Sequence, residues 1–277
     1  MEIQPIASSS SPQPFDGVAR SYDQDFTCTP LGIRKRNLVY HYVEDLLRPD
    51  WKVLELNCGT GEDALWLSGR TAEVVATDIS GEMVKVAEEK CRSGGRTNVT
   101  FHQMGIQQLW QREGMLPFDT SKQFDLIFSN FDGLNCLPDL SPLPSAFRNL
   151  LTPEGQAILV LMSRFCALET FGYLVRGEPG RAFERGREEG KEIHIGMGMS
   201  ARTWFHPIGE LVQLFRGEGF RVEAIRAIGL LTPPTSMRDF YHRHLSSFRK
   251  FERLEERLSP YYPFNRMGDH VLIHVKV

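Results

Sequence analysis

Short apolar runs alternate along this chain with stretches of helical period. The runs at 53–56, 73–78, 98–104, 124–130 and 155–162 are each long enough for one buried strand. Between them, 62–68, 80–92 and 142–151 carry apolar residues at three- and four-residue steps and predict helices. From 15 to 47 the apolar positions suit one or two helices before the first strand. Strands alternating with helices predict a parallel sheet covered on both faces, an α/β doubly wound fold. After 162 the rhythm changes. A helix-like stretch leads into 176–192, where five cations and five anions read as solvated surface, and 193–207 alternates like a hairpin. A helix closed by glycine, a strand, and a long stripe follow: Tyr241, Leu245, Phe248, Phe251, Leu254 and Leu258 share one helix face. The segment 269–277 reads as a last strand. The expected organisation is a tail over 1–14 and a core over 15–162. A cap insertion over 163–206, a core helix and strand over 207–230, a second insertion over 231–267 and a closing strand over 268–277 complete it.

Composition narrows this little. The chain has 277 residues, 41% of them apolar and 24% charged, with a net charge of -3. That balance suits a soluble domain and gives no overall field to attract nucleic acid. Five widely spaced cysteines without a CxxC argue against a disulfide framework or zinc site and fit a reducing, cytoplasmic setting. No apolar run reaches the roughly 20 residues of a membrane span. The first residues lack the basic and apolar regions of a signal peptide and read as a disordered tail. Nothing in the sequence sets the number of subunits.

The chemistry concentrates in "VLELNCGTGEDALWL" (53–67). Gly59, Gly61 and Ala64 match GxGxxA, and Asp78 follows 19 residues after Gly59, close to a dinucleotide fingerprint. Charge separates the possible ligands. Three carboxylates, Glu55, Glu62 and Asp63, stand in this stretch and no Lys or Arg does. A carboxylate about 5 Å from a phosphate charge opposes it by roughly 1–3 kcal/mol, and a cationic ligand gains by the same arithmetic. S-adenosylmethionine carries a nucleoside together with an ammonium and a sulfonium, so it suits the turn better than a diphosphate. Acids in a first helical turn also complement the helix dipole, which accounts for Glu62 and Asp63 equally well. Glu55 interrupts the apolar run at the carboxyl end of a strand, where open α/β sheets bind ligands.

These residues resemble the class I S-adenosylmethionine-dependent methyltransferases. "VLELNCGTG" is similar to their first motif, "VVATDIS" to the second-strand acid, "FDLIFSNFDGLNCLPDL" to the fourth strand and its loop, and "LLTPEGQAILVLM" to the turn into the fifth. The resemblance covers residues 15–162 and implies a seven-stranded, mostly parallel Rossmann-like sheet whose last strand is antiparallel. It further implies that Glu55 lies near the methionine ammonium and that Asn57, Gly59 and Gly61 line the cradle. Asp78 would take the ribose hydroxyls, Ile79 and Met83 would flank the adenine, and Ser129 and Asn130 would stand beside the methionine moiety. "ARSYDQDF" is similar to the lid helix of the family, with Tyr22 closing over the cofactor. Family members often place an Asp near the adenine amino group; here Gly105 stands in that place, leaving the Ile106 N–H to meet the ring.

Methyl transfer needs alignment, exclusion of water and, for a protonated nucleophile, a base. No metal motif is present. His206, in "TWFHP", is the leading base candidate because histidine titrates near neutrality; Tyr241 and His242 follow, with His194 and Glu169 behind. Asn130 and Asn135 are candidates for orienting a substrate. Met197, Met199, Trp204, Phe205, Phe240 and Phe248 either line an acceptor pocket or form the cap's own core. The expected function is methyl transfer to oxygen, nitrogen or carbon of a small molecule. Two alternatives stand beside it, an NAD(P)-dependent oxidoreductase and a binding module without activity. The basic amphipathic stretch 238–257 also admits contact with a membrane surface.

Overall fold

The structure, a computed structural model, describes residues 13–111, 116–121 and 123–277. Apart from Gln13 and Pro14, the expected tail lies outside the described residues.

Among the described residues nine strands form in chain order: β1 Lys52–Leu56, β2 Glu73–Asp78, β3 Val99–Gln103, β4 Phe124–Ser129, β5 Leu151–Met162, β6 Lys191–Gly196, β7 Met199–Thr203, β8 Arg221–Ile228 and β9 His270–Lys276. Seven of them build one sheet in the order β3-β2-β1-β4-β5-β9-β8. β1 to β5 run parallel, and β9 enters antiparallel between β5 and β8. The strand order reverses between β1 and β4, which opens a crevice at their carboxyl ends, where sheets of this kind bind ligands. This is the seven-stranded Rossmann-like arrangement expected from the sequence.

Among the described residues ten α-helices accompany the sheet: α1 Pro30–Glu44, α2 Glu62–Ser68, α3 Gly81–Ser93, α4 Gln108–Gln111, α5 Leu143–Leu150, α6 Ala167–Val175, α7 Pro179–Ala182, α8 Ile208–Gly217, α9 Arg238–Arg243 and α10 Leu245–Leu258. Their boundaries follow local chemistry. Thr29 caps α1 by accepting the Gly32 N–H at 3.0 Å, with Pro30 in its first turn. Ser80 caps α3 by accepting from Met83, and Lys90 and Arg92 close its last turn.

Strand alternation buries both faces. Leu54, Leu56, Ile127, Leu159 and Leu161 pack on α5 and α8 through Phe147 and Phe215. Val53, Val74, Leu126, Phe128, Ile158 and Val160 pack on the other side against Val39 and Val43 of α1, Ala64 and Leu67 of α2, and Ala87 of α3. A smaller cluster joins Val18, Ala19 and Met83 to Ile195 and Ala201, so the β6–β7 hairpin rests on the N-terminal segment and α3.

The stripe read as one helix after 240 breaks at His244 into α9 and α10. Its apolar face is also turned: Phe251 and Leu254 are exposed, while Glu255 is buried. Glu255 is drawn inward because Thr232 donates to it at 2.6 Å and Arg34 pairs with it at 3.7 Å. Among the described residues no helix is long and apolar enough to cross a membrane.

Candidate functional site

At the end of β1 the chain turns through three residues with positive φ, Asn57 (49°), Gly59 (53°) and Gly61 (77°). A Cβ on Gly61 would lie 2.7 Å from that of Ala87, so only glycine lets α2 start this close to α3. A Cβ on Gly59 would meet nothing within 4 Å, and the turn's backbone there faces open space. The turn is tied to β2 by Asp78, whose Oδ2 accepts from Gly59 N and whose Oδ1 accepts from Ser80 N, each at 2.9 Å. Each oxygen keeps lone pairs for a further donor. Burial raises the Asp78 carboxyl to about 6 against the pull of these N–H groups.

The three carboxylates of the turn have separate fates. Asp63 accepts from Arg36 Nε at 2.9 Å, Tyr40 Oη at 2.6 Å and Asn130 Nδ2 at 3.0 Å. Glu62 pairs with Lys90 at 3.1 Å. The local excess of negative charge read from 53–69 is therefore corrected. Cations from α1 and α3 neutralise two of the three acids, and only Glu55 carries the argument for a cationic ligand. It is 1% exposed, and its Oε2 has no hydrogen-bond partner among the described residues. Burial, then the charge of Asp63, raises its pKa well above the usual carboxylate range.

Asn130 Oδ1 is the second buried atom here without a partner. Asn57 is fixed between Ser129, which donates to its Oδ1 at 2.6 Å, and the Asn130 carbonyl, which accepts from its Nδ2 at 2.8 Å. Two unsatisfied buried oxygens beside a glycine turn indicate a ligand supplying donors, because such atoms cost free energy when left alone. An ammonium is such a donor, and the hydroxyls of a ribose suit Asp78. The residues present fit S-adenosylmethionine.

The N-terminal segment closes over this cradle. Asp23 accepts from Thr60 Oγ1 at 2.6 Å and pairs with Lys90 at 2.7 Å, and Asp16 accepts from Ser80 Oγ at 2.6 Å. Tyr22 packs between Phe15 and Phe26. Burial, followed by the charge of Asp132, pushes its hydroxyl pKa up. Ile79 borders Gly105, and Met83 is buried in the cluster under the hairpin. Ile106 is buried as well. A Cβ on Gly105 would fall 2.9 Å from Gln107 Oε1, so the Gln107 carboxamide fills the space left by the missing Asp.

The expected base candidates lie elsewhere. His206 meets the Leu137 carbonyl at 3.0 Å and lines, with Trp204 and Phe205, a cavity of about 280 Å³ that includes none of the cradle residues. Burial lowers its pKa. Tyr241 is buried beside Phe248, and His242 is exposed. His194 is exposed, and Glu169 is bound to Arg185 and Ser236. Asn135 is consumed by backbone, bridging Met162 and Trp204. Of the apolar lining candidates, Met197 and Phe240 are exposed, and Met199 packs against Gly17.

A second cavity, of about 90 Å³, opens instead between the N-terminal segment, α1, the loop after β4 and the start of β9. Asp132 and His270, which the sequence reading missed, line it and meet at 2.8 Å. Their separation of 138 residues leaves no local signal. The one available hint was an Asp-His pair opening the last strand.

The sheet order, the glycine turn and the β2 acid define a class I methyltransferase domain. Residues 53–155 match the model of the family described as a methyltransferase domain. A putative methyltransferase, YqeM, of Bacillus subtilis is 27% identical over 57% of this chain and 59% of its own length. A ubiquinone/menaquinone biosynthesis C-methyltransferase, UbiE, of a Shewanella species is 30% identical over 54% of this chain and 58% of its own. The chain thus spans about three fifths of these curated relatives. An S-adenosylmethionine-dependent methyltransferase of known structure from Clostridium acetobutylicum superposes with a TM-score of 0.57 at 14% identity, covering 96% of this chain and 99% of that one. Residues 53–155 therefore carry a methyltransferase domain, on the fold shared with S-adenosylmethionine-dependent methyltransferases of known structure.

Proposed function

We propose that this chain transfers a methyl group from S-adenosylmethionine to a nucleophilic oxygen, nitrogen or carbon of a small molecule. The supporting observation is the buried Glu55 carboxylate, left without a partner while Glu62 and Asp63 are both neutralised. A nicotinamide dinucleotide brings two phosphate charges and no ammonium to stabilise the ionised form of that acid.

The cofactor supplies an activated methyl on a sulfonium, so the chain needs no covalent intermediate. Glu55 and Asn130 would hold the ammonium end, Asp78 the ribose, and Ile79 the adenine. The segment carrying Tyr22 would keep water from the reacting atoms. His206, Tyr241 and His242 would act as bases only through an acceptor or a movement reaching from their present positions to the cradle. Quinone-type acceptors, suggested by the name of the Shewanella relative, are one class within this proposal.

Titration calorimetry tests the donor site. S-adenosylhomocysteine keeps the ammonium, which favours ionised Glu55, so binding releases a proton from a carboxyl whose pKa is raised in the free protein. Affinity therefore rises with pH. Across a pH series, the heat should depend on the buffer's ionisation enthalpy wherever the free protein holds Glu55 protonated, and Glu55→Gln should remove that dependence. Tighter binding of NADH than of S-adenosylhomocysteine would overturn the proposal.

A further inference from the structure

We propose, resting on the methyl-transfer reading, that the cavity beside Asp132 is the acceptor site, that it takes a single-ring phenol carrying a carboxylate, and that Asp132 is the catalytic base. Its lining brings three aromatic rings, Tyr22, Phe26 and Phe131, together with Arg36, Arg238, Asp132 and His270. At about 90 Å³ it has room for roughly six to nine water-sized centres, the scale of one substituted ring.

Most charges around this space are already committed. Arg36 is bound to Asp63, and Lys35 to Asp269. His270 Nε2 donates to Asp132 Oδ1 at 2.8 Å, and its Nδ1 lies 3.2 Å from Asp269. Three charged groups keep capacity: the Asp25 carboxylate, which takes none of the described hydrogen bonds, Arg238 and Asp132. Arg238 donates to the Asp25 backbone carbonyl at 3.0 Å, and among the described residues no carboxylate neutralises it. The Asp132 side chain is 41% exposed, and its Oδ2 takes none of the described hydrogen bonds. A ligand with an anion for Arg238, a hydroxyl for Asp132 and a ring between them completes the site.

The backbone supports the assignment. Phe131 and Asp132 both have positive φ, 50° and 63°, a conformation costing roughly 1–2 kcal/mol per non-glycine residue. Gly133 permits it by packing its Cα against Asn57, where a Cβ would meet Asn57 Cγ at 2.2 Å. The strained pair directly follows Asn130, so Asp132 is carried on the same loop that shapes the donor cradle.

In the step itself the phenol oxygen forms a bond to the methyl carbon. The carbon–sulfur bond breaks with its electron pair going to sulfur, and the phenol proton passes to Asp132 Oδ2. The products are a methyl ether, S-adenosylhomocysteine and protonated Asp132, which returns its proton to water through its exposed edge. His270 is a positioning residue: set between Asp132 and Asp269, it holds Asp132 in the orientation the step needs. Asp269 is itself fixed by Lys35 and by Arg185 at 2.6 Å.

The test uses the full chain and 4-hydroxybenzoate as probe. Calorimetry on protein saturated with S-adenosylhomocysteine should detect binding, and Arg238→Gln should weaken it at least tenfold with cofactor affinity unchanged. With S-adenosylmethionine, Asp132→Asn should keep probe binding and lose 10²–10⁴-fold in turnover, the span of general-base catalysis. Formate added to Asp132→Ala should restore part of that turnover, which separates a lost base from a damaged fold. His270→Gln should lower kcat about tenfold while KM stays within twofold. Wild-type protein that binds S-adenosylhomocysteine but ignores the probe overturns the inference and leaves the donor reading standing. Full turnover by Asp132→Asn, or Arg238→Gln binding the probe as wild type does, also overturns it.

Discussion

Gly59 and Gly61 stand two positions apart in one turn, yet their substitution should have different consequences. At Gly61 an alanine methyl would meet Ala87 at 2.7 Å with φ at 77°, so Gly61→Ala should destabilise the fold by about 2–3 kcal/mol through overpacking and backbone strain. At Gly59 the methyl would project into the open cradle, and the fold should lose only about 1 kcal/mol for the left-handed backbone. Urea unfolding should therefore rank Gly61→Ala well below Gly59→Ala in stability. Calorimetry should show Gly59→Ala weakening S-adenosylhomocysteine in a protein that remains folded; equal stabilities would sink the distinction. The glycines were legible because a turn demands them locally. The charge of the same stretch was misread because its neutralisers come from far along the chain, Arg36 27 residues before Asp63 and Lys90 28 residues after Glu62. Gln107 was missed for a related reason, since a side chain two positions away occupies the space that the pattern assigns to position 105.

The lid shows how a weakly periodic segment is held by a few polar contacts. Asp23 sits in the short helical turn Asp23–Thr27 and bridges to Lys90 and Thr60 across the glycine turn. Burial would raise its pKa, but the bonds from Lys90 and Thr60 outweigh that and hold it below the ordinary carboxylate value. A depressed carboxylate contributes stability that is present above its unfolded pKa and is lost only as pH falls through the folded one. The latch should therefore be constant from pH 5 to 8. Asp23→Asn removes its charge and should speed S-adenosylhomocysteine release roughly tenfold, the equivalent of 1.4 kcal/mol for a charge-assisted bond. Stopped-flow measurement should show the difference shrinking at high salt, because the pair is part exposed. An unchanged release rate would mean that the segment is not held by this contact. Elements with strong periods were legible in sequence: the five parallel strands, α3, α8 and the hairpin all fall within a few residues of expectation. The split of α9 from α10 was not, because the same apolar spacing fits either a continuous helix or two. The inward turn of Glu255 depends on Thr232 and Arg34, which no pattern within the helix encodes.

Sheet topology explains how distant parts of the chain share one charged centre. Because β9 enters antiparallel beside β5, its first residues arrive at the edge where the parallel strands end. Asp269 there meets Lys35 from α1, Arg185 from the segment between β5 and β6, and His270, which reaches Asp132 after β4. The sheet itself was written in motifs and alternation; this centre was not, since positions 35, 132, 185 and 269 share no period and meet only once the topology is complete. It holds four parts of the fold together and so predicts a global effect. Lys35 and Asp269 are nearly fully buried, and removing one partner of such a pair leaves an uncompensated charge. Lys35→Met should cost about 3 kcal/mol, the low end for a buried pair because Arg185 remains. The cations hold the Asp269 carboxyl well below its ordinary range despite its burial. Its contribution is accordingly complete above the ordinary pKa of 3.8 and disappears only in stronger acid. The gap in unfolding free energy between wild type and Lys35→Met should stay level from pH 5 to 7 and close below pH 4. A gap that widened on acidification would show that Lys35 stabilises the fold by packing rather than by its charge.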